Sequence, residues 1–173
     1  MKLLGEKTLL KPLELNDIPN CWRWIHDKKV IRYLQGPFPK TYAGEVAWFR
    51  KMQKQKSERL FGVFDKEKGV HIGTLGIHNI SKEHRKANIG IMFGEKSCWG
   101  KGFGSDALKT ALTYCFQKLR LNKVSLIVDP LHDRAQKCYE KCGFKRVGFL
   151  KDDAFVRGRW RDSIVMEVFA NRK

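Results

Sequence analysis

The chain predicts an α/β domain, built as a mixed but mostly antiparallel sheet of about seven strands with helices on both faces. Three observations carry this. Runs with a period of two follow one another at 60–64, 70–79 and 87–93, split by short polar segments, as in an antiparallel meander. A glycine-rich turn then opens the strongest amphipathic stretch, and a strand, a helix and two further strands follow, the alternation by which parallel pairing enters a sheet. The composition is even from 1 to 173, with no Pro/Gly/Ser-rich linker and no repeat, so the whole chain is expected to form one domain.

The elements read in order as follows. Residues 8–11 form the first strand. Asn16 is then expected to cap a helix whose Ile18, Cys21, Trp22 and Ile25 share one face. A short helical piece at 30–34 stops at Gly36-Pro37. Thr41 caps a further helix with Val46, Phe49 and Met52 inward and Arg50, Lys51, Lys54 and Lys56 outward. In the last strand of the meander Ala87, Ile89, Ile91 and Phe93 share one face, and Asn88, Gly90 and Met92 the other. Past the glycine turn, Ala107, Leu108, Ala111, Leu112, Cys115, Phe116 and Leu119 make one apolar stripe. A strand at 123–129 leads to a helix at 133–142, with Ala135, Cys138, Tyr139 and Cys142 on one side and Gly143 as its stop. Strands at 146–150 and 163–169, joined through a polar segment around Gly158, close the domain.

With 42% hydrophobic and 12% aromatic residues the chain excludes a disordered or collagenous class. Charge interrupts the N-terminal residues before an apolar segment can form, and no run nears the ~20 residues of a membrane span, so a soluble cytoplasmic protein without membrane contact is expected. The five cysteines are odd in number and none are spaced Cys-x-x-Cys, which suggests neither a disulfide framework nor a metal site. Thirty-five Lys and Arg against 18 Asp and Glu leave a net charge of +17. Such a field suits a solvated surface, nucleic acid or a polyphosphorylated ligand, and repels free polycations.

The segment Trp99-Gly100-Lys101-Gly102-Phe103-Gly104 puts three alternate glycines ahead of a helix. Backbone N–H groups can there approach an anion at the helix's positive end. It is not G-x-G-x-x-G, and the chain has no G-x-x-x-x-G-K-[ST], so dinucleotide and P-loop readings fall. Taken alone it reads equally as an ordinary turn. With the strand at 87–93 before it and Tyr139-Glu140-Lys141-Cys142-Gly143-Phe144 after it, the chain resembles the GNAT superfamily of N-acetyltransferases. The likeness covers about 9–168 and is specific from Ile72 onward. It is strongest to the branch of ribosomal-protein N-terminal acetyltransferases, with polyamine acetyltransferases nearby.

The resemblance implies the GNAT fold, acetyl-coenzyme A (acetyl-CoA) as cosubstrate and no metal. It gives the coenzyme pyrophosphate to Trp99, Gly100, Lys101, Gly102, Phe103, Gly104 and Ser105. The pantetheine arm falls to Ile91, Met92 and Phe93, one of whose N–H groups would polarise the thioester carbonyl. Tyr139 stands where the family has a tyrosine beside the coenzyme sulfur, to act as general acid; the plain alternative is packing on Ala135 and Cys142. His132 replaces a common asparagine and reads as a coenzyme contact or as a helix cap.

Asn88 stands where many relatives carry a glutamate, and an amide cannot accept the proton of the incoming ammonium. Freeing an alkylamine of pKa ~10.4 at pH 7 costs about 4.6 kcal/mol, against about 1.4 for an α-amine near ~8. His78, His84 and Glu95 are the open candidates for a base. These points order the acceptors as peptide or protein α-amine first, a ribosomal protein among them, then an amino-sugar or other small amine, then a polyamine. Competing with acetyl transfer to an amine are a basic nucleic-acid or ribosome-binding module and a non-catalytic coenzyme sensor. Monomer and homodimer are both compatible. The segments 22–38 and 152–161 are expected to shape the acceptor pocket.

Overall fold

The computed structural model describes residues 1–171. Eight strands, β1 (Leu3–Leu4), β2 (Thr8–Pro12), β3 (Arg59–Asp65), β4 (His71–Ser81), β5 (Lys86–Phe93), β6 (Lys123–Val128), β7 (Lys145–Val156) and β8 (Arg159–Phe169), lie in one sheet in the order β1-β2-β3-β4-β5-β6-β8-β7. Every neighbouring pair is antiparallel except β5 and β6. The strand beyond the expected seven is β1, whose two residues are too few to show a period.

Four helices complete the fold: α1 (Ile18–Ile25), α2 (Tyr42–Gln53), α3 (Phe103–Thr113) and α4 (Asp133–Lys141). The two faces of β5 sort them. Ala87 and Ile89 join Leu108, Ala111, Leu112 and Tyr139 in the larger core, under α3 and α4. Met92 packs from the opposite face against Ile18, Cys21, Trp24 and Phe49 of α1 and α2. Leu108 is fully buried, which stabilises the fold by about 1.5–3 kcal/mol for that side chain.

Several expectations are corrected. Asn16 does not cap α1. The entry is a short 3₁₀ turn, Leu15–Asp17, in which the Glu14 N–H donates to Asp17 Oδ2 at 2.9 Å. Residues 30–34 form turns and no helix, because the chain there spans from α1 to Gly36 with only Ile31 N–H to Asp27 and Leu34 N–H to Ile31 bonds. The stripe to Leu119 is not one α-helix: α3 widens into a π-turn over Tyr114–Lys118, closed by Leu119 N–H to the Tyr114 carbonyl, and this adds Tyr114 to the core against Phe61. The segment around Gly158 is no loop but the tip of a long hairpin, with Val156 paired to Arg159. Thr41 caps α2 as expected, its Oγ1 accepting from Gly44 N–H at 3.1 Å.

One carboxylate ties the N-terminal strands to α3. Asp106 accepts from the N–H groups of Glu6, Lys7 and Thr8 and from the Thr8 hydroxyl, at 2.6 to 3.1 Å. Partial burial pushes its pKa up, but the Thr8 hydroxyl and the three N–H donors together outweigh that and hold it below the usual carboxylate value. Its folded pKa being depressed, the stabilisation is present above the ordinary carboxylate range and is lost as pH falls through the depressed value. Asp106→Asn is therefore expected to lower stability at pH 7 by about 2 kcal/mol. Urea unfolding should show the gap between the two proteins closing below about pH 4.

Candidate active site

The site begins where two strands part. β5 and β6 are paired only from Lys86–Lys123 to Asn88–Ser125, although β5 runs on to Phe93 and β6 to Val128. Ile91, Met92 and Phe93 thus leave their β6-side edge without a strand partner. A cleft of about 890 Å³ opens there, and Ile91, Met92, Phe93, Trp99, Gly100, Gly102, Gly104, Ser105, His132 and Tyr139 all line it.

The glycine turn is fixed to the end of β5, since the Trp99 indole N–H donates to the Phe93 carbonyl at 2.9 Å. Gly100 and Gly102 have φ of 73° and 85°, a region that side chains rarely enter, and Gly102 is the N-cap of α3. The N–H groups of Phe103, Gly104 and Ser105 in the first helical turn have no intrahelical partner and carry the positive end of the dipole. This is the geometry of a phosphate seat. Lys101 and Phe103 do not line this cleft; both line a separate hollow beside Lys7 and Lys66, and Phe103 also packs on the larger core.

Tyr139, on α4, is nine-tenths buried and faces the cleft. Burial, and then the neighbouring Cys138 and Cys142, push its phenol above the usual value, so it stays protonated. His132 holds the N-cap position of α4 without a side-chain cap bond. Its ring stacks on Tyr33, 4.3 Å between centroids, and burial lowers its pKa.

A second pocket, of about 330 Å³, lies on the other side of β5 and shares Leu34, Ile91 and Met92 with the first. Pro37, Phe38 and Trp48 give it apolar walls. Into it faces Glu45 of α2, which is 4% exposed and finds no hydrogen bond or ion pair for its carboxyl among the described residues; burial raises its pKa. His78 also lines it, with Nδ1 2.5 Å from Oε2 of Glu58.

The three candidate bases are thereby separated. Glu95 is engaged by Arg23 at 2.5 Å and by the Trp24 indole N–H at 3.2 Å, and His84 sits in the exposed β4–β5 turn. Only His78 reaches the pocket. Of the segments expected to shape it, 22–38 supplies Ile25, Leu34, Gly36, Pro37 and Phe38, whereas 152–161 supplies none. Its Arg157 and Arg161 instead donate to the carbonyls of Ile31 and Arg32, holding the wall segment in place. Glu58 went unread because it sits in a run of polar residues just ahead of β3, and Glu45 because a lone acid in the first turn of α2 reads as an ordinary helix-start residue.

An opening beside a parallel strand pair, with a helix N-terminus at one end and a second pocket sharing its wall, is an arrangement that fits an acyltransferase using coenzyme A. The model of an acetyltransferase (GNAT) domain matches residues 7–145, and the chain belongs to that family. It is 29% identical to the spermidine N(1)-acetyltransferase of Escherichia coli K12 over 94% of this chain and 86% of that one. The [ribosomal protein uS5]-alanine N-acetyltransferase of the same bacterium is 25% identical over 74% of this chain and 66% of its own length. The crystal structure of spermidine N-acetyltransferase from Vibrio cholerae in complex with CoA and spermine superposes with a TM-score of 0.87 at 27% identity, over 95% of this chain and 96% of that one. The chain is an N-acetyltransferase that uses acetyl-CoA. Among the described residues no helix is long and apolar enough to cross a membrane.

Proposed function

We propose that this enzyme acetylates a small aliphatic amine carrying a second positive charge, a polyamine or diamine. One observation supports this above others: the acceptor pocket shares a wall with the coenzyme cleft, and the Glu45 carboxyl opens onto it with no hydrogen-bond partner among the described residues. A carboxylate short of water in such a pocket is costly, and an ammonium group ~4 Å away relieves it. Phe38 and Trp48 suit the methylenes and the cation of such an amine. Spermidine is the acceptor named for two of the relatives above. The ordering from sequence put polyamines third for want of a carboxylate cluster; Glu45 supplies one carboxyl on the pocket itself. A peptide α-amine ranks second, since about 330 Å³ behind Pro37 and Phe38 leaves little room for a chain beyond the amine. The five free thiols suit a reducing compartment such as the cytoplasm.

Bound acetyl-CoA supplies an activated acetyl thioester. In this reading the turn from Trp99 to Ser105 holds its pyrophosphate, and Ile91, Met92 and Phe93 align the arm so that the acetyl carbon lies at the shared wall. His132 lines the arm's path beside Tyr33. Tyr139 donates a hydrogen bond to the departing sulfur. Its raised pKa keeps the donor proton in place, and it also makes complete transfer to a thiolate of pKa ~8.5 uphill. The role of Tyr139 is thus to stabilise the leaving charge, while the proton shed by the attacking nitrogen ends on the sulfur.

Three outcomes are expected. Thiol release measured across an amine panel should be fastest with spermidine and diaminoalkanes, slower with a monoamine and slowest with peptide α-amines; a peptide faster than every diamine would overturn the proposal. Tyr139→Phe should lower kcat about 100-fold and leave acetyl-CoA affinity by calorimetry unchanged. Glu45→Gln should raise KM for spermidine about 10- to 100-fold with little change in kcat, as expected on losing a charged hydrogen bond.

A further inference from the structure

We infer that His78, held by Glu58, is the proton acceptor for the incoming ammonium. This rests on the acetyl transfer proposed above and adds the group that Asn88 cannot provide.

The register of the sheet carries the argument. His78 on β4 is the direct cross-strand partner of Asn88 on β5, so the two side chains stand on one face of the sheet. Next on that face of the ladder, past Ile77–Ile89, is a pair of glycines, Gly76 and Gly90. A methyl group built on Gly76 would overlap His78 Nε2, and one on Gly90 would lie 3.9 Å from it. The missing side chains make the space in which the ring lies across the strands, beside Ile91 and the acceptor pocket.

Glu58 fixes the ring chemically. Its Oε1 accepts the Asn79 N–H at 3.0 Å, its Oε2 meets Nδ1 of His78 at 2.5 Å, and the residue is 8% exposed. Asn79 has a φ of 51° within the bulge between His78 and Ser81, and this local turn aims its N–H at the carboxylate. Because an ionised carboxylate only accepts, Nδ1 carries the hydrogen and Nε2 of the neutral ring keeps a lone pair. Nε2 has no hydrogen-bond partner among the described residues and points to the glycine gap. A buried carboxylate behind an imidazole sets its tautomer and stabilises the imidazolium when it forms.

The other titratable groups on the pocket are Glu45 across it, whose carboxylate favours the cationic forms of both ring and substrate, and Cys21 of α1. Burial, then Glu45 and Asp17, push the Cys21 thiol up to about 12, so it stays neutral.

The proton sequence balances. Nε2 takes one proton from R–NH₃⁺, directly or through one water. The freed lone pair forms the N–C bond to the acetyl carbon as the C–S bond breaks and its electrons leave with sulfur. The attacking nitrogen loses its second proton to that sulfur, and His78, whose side chain is about a third exposed, returns the first to solvent.

The test compares wild type, His78→Gln and Glu58→Gln by thiol release with spermidine from pH 6.5 to 10.5, with acetyl-CoA affinity by calorimetry as the measure of an intact coenzyme site. His78→Gln is expected to lose at least 100-fold in kcat/KM at pH 7. That deficit should shrink toward wild type near pH ~10.4, where the amine is free without help. Glu58→Gln should lose about 10-fold with the same recovery, and coenzyme affinity should hold in both. A His78→Gln enzyme within twofold of wild type at pH 7, or deficits in both variants that stay constant with pH, overturns the assignment and leaves acetyl transfer standing. A wild-type protein that binds acetyl-CoA and acetylates no amine removes both.

Discussion

The rest of the structure depends on the early parting of β5 from β6. A parallel pair normally continues because each unpaired N–H and C=O left in the interior is costly. Here pairing stops at Asn88 and Ser125, and the freed edge of Ile91 to Phe93 becomes a wall instead of a ladder. The strands diverge because different partners hold them. β5 stays registered on β4 up to Gly73–Phe93, and β6 stays registered on β8 up to Val128–Ile164. Trp99 then fastens the glycine turn to the end of β5, so the anion seat and the free edge keep a fixed separation. Peptide-like groups along the coenzyme's arm can meet that edge as a strand would.

Electrostatics divide between the whole surface and one pocket. A net charge of +17 favours a ligand with several phosphates at long range and opposes a free polycation. Screening limits that opposition to about 8–10 Å at ordinary salt, whereas the Glu45 carboxyl on the pocket wall acts at short range. A basic exterior and an acidic acceptor pocket are therefore compatible. In the proposed polyamine reading, surface repulsion slows encounter while the Glu45 carboxyl holds the bound cation.

The residues that line the larger cleft were legible in the sequence because the motifs that carry the family resemblance are local. Alternate glycines with positive φ must precede the helix they open, and Tyr139 lies on the same α4 stripe that packs the core, so one period reveals both. The acceptor side was not legible. Glu45 reads as one more polar residue on a weakly amphipathic helix, and Glu58 as part of a charged turn; their burial arises from packing against β3 and β4. His78 was one of three equal candidates until register put it beside Asn88 and the Gly76–Gly90 pair. Residues 30–34 were misread as a helix because their apolar spacing faces two cavities at once.

By itself, then, the sequence determined the period of each main strand and helix and the glycine turn ahead of α3, since these follow from backbone freedom and spacing within a few residues; the coenzyme came from the family resemblance those motifs carry. Only the tertiary structure decided where β5 leaves β6, which carboxylates are buried, and which imidazole faces the second pocket. Those outcomes join residues tens of positions apart, and burial and cross-strand register, which control them, exist only once the sheet has formed.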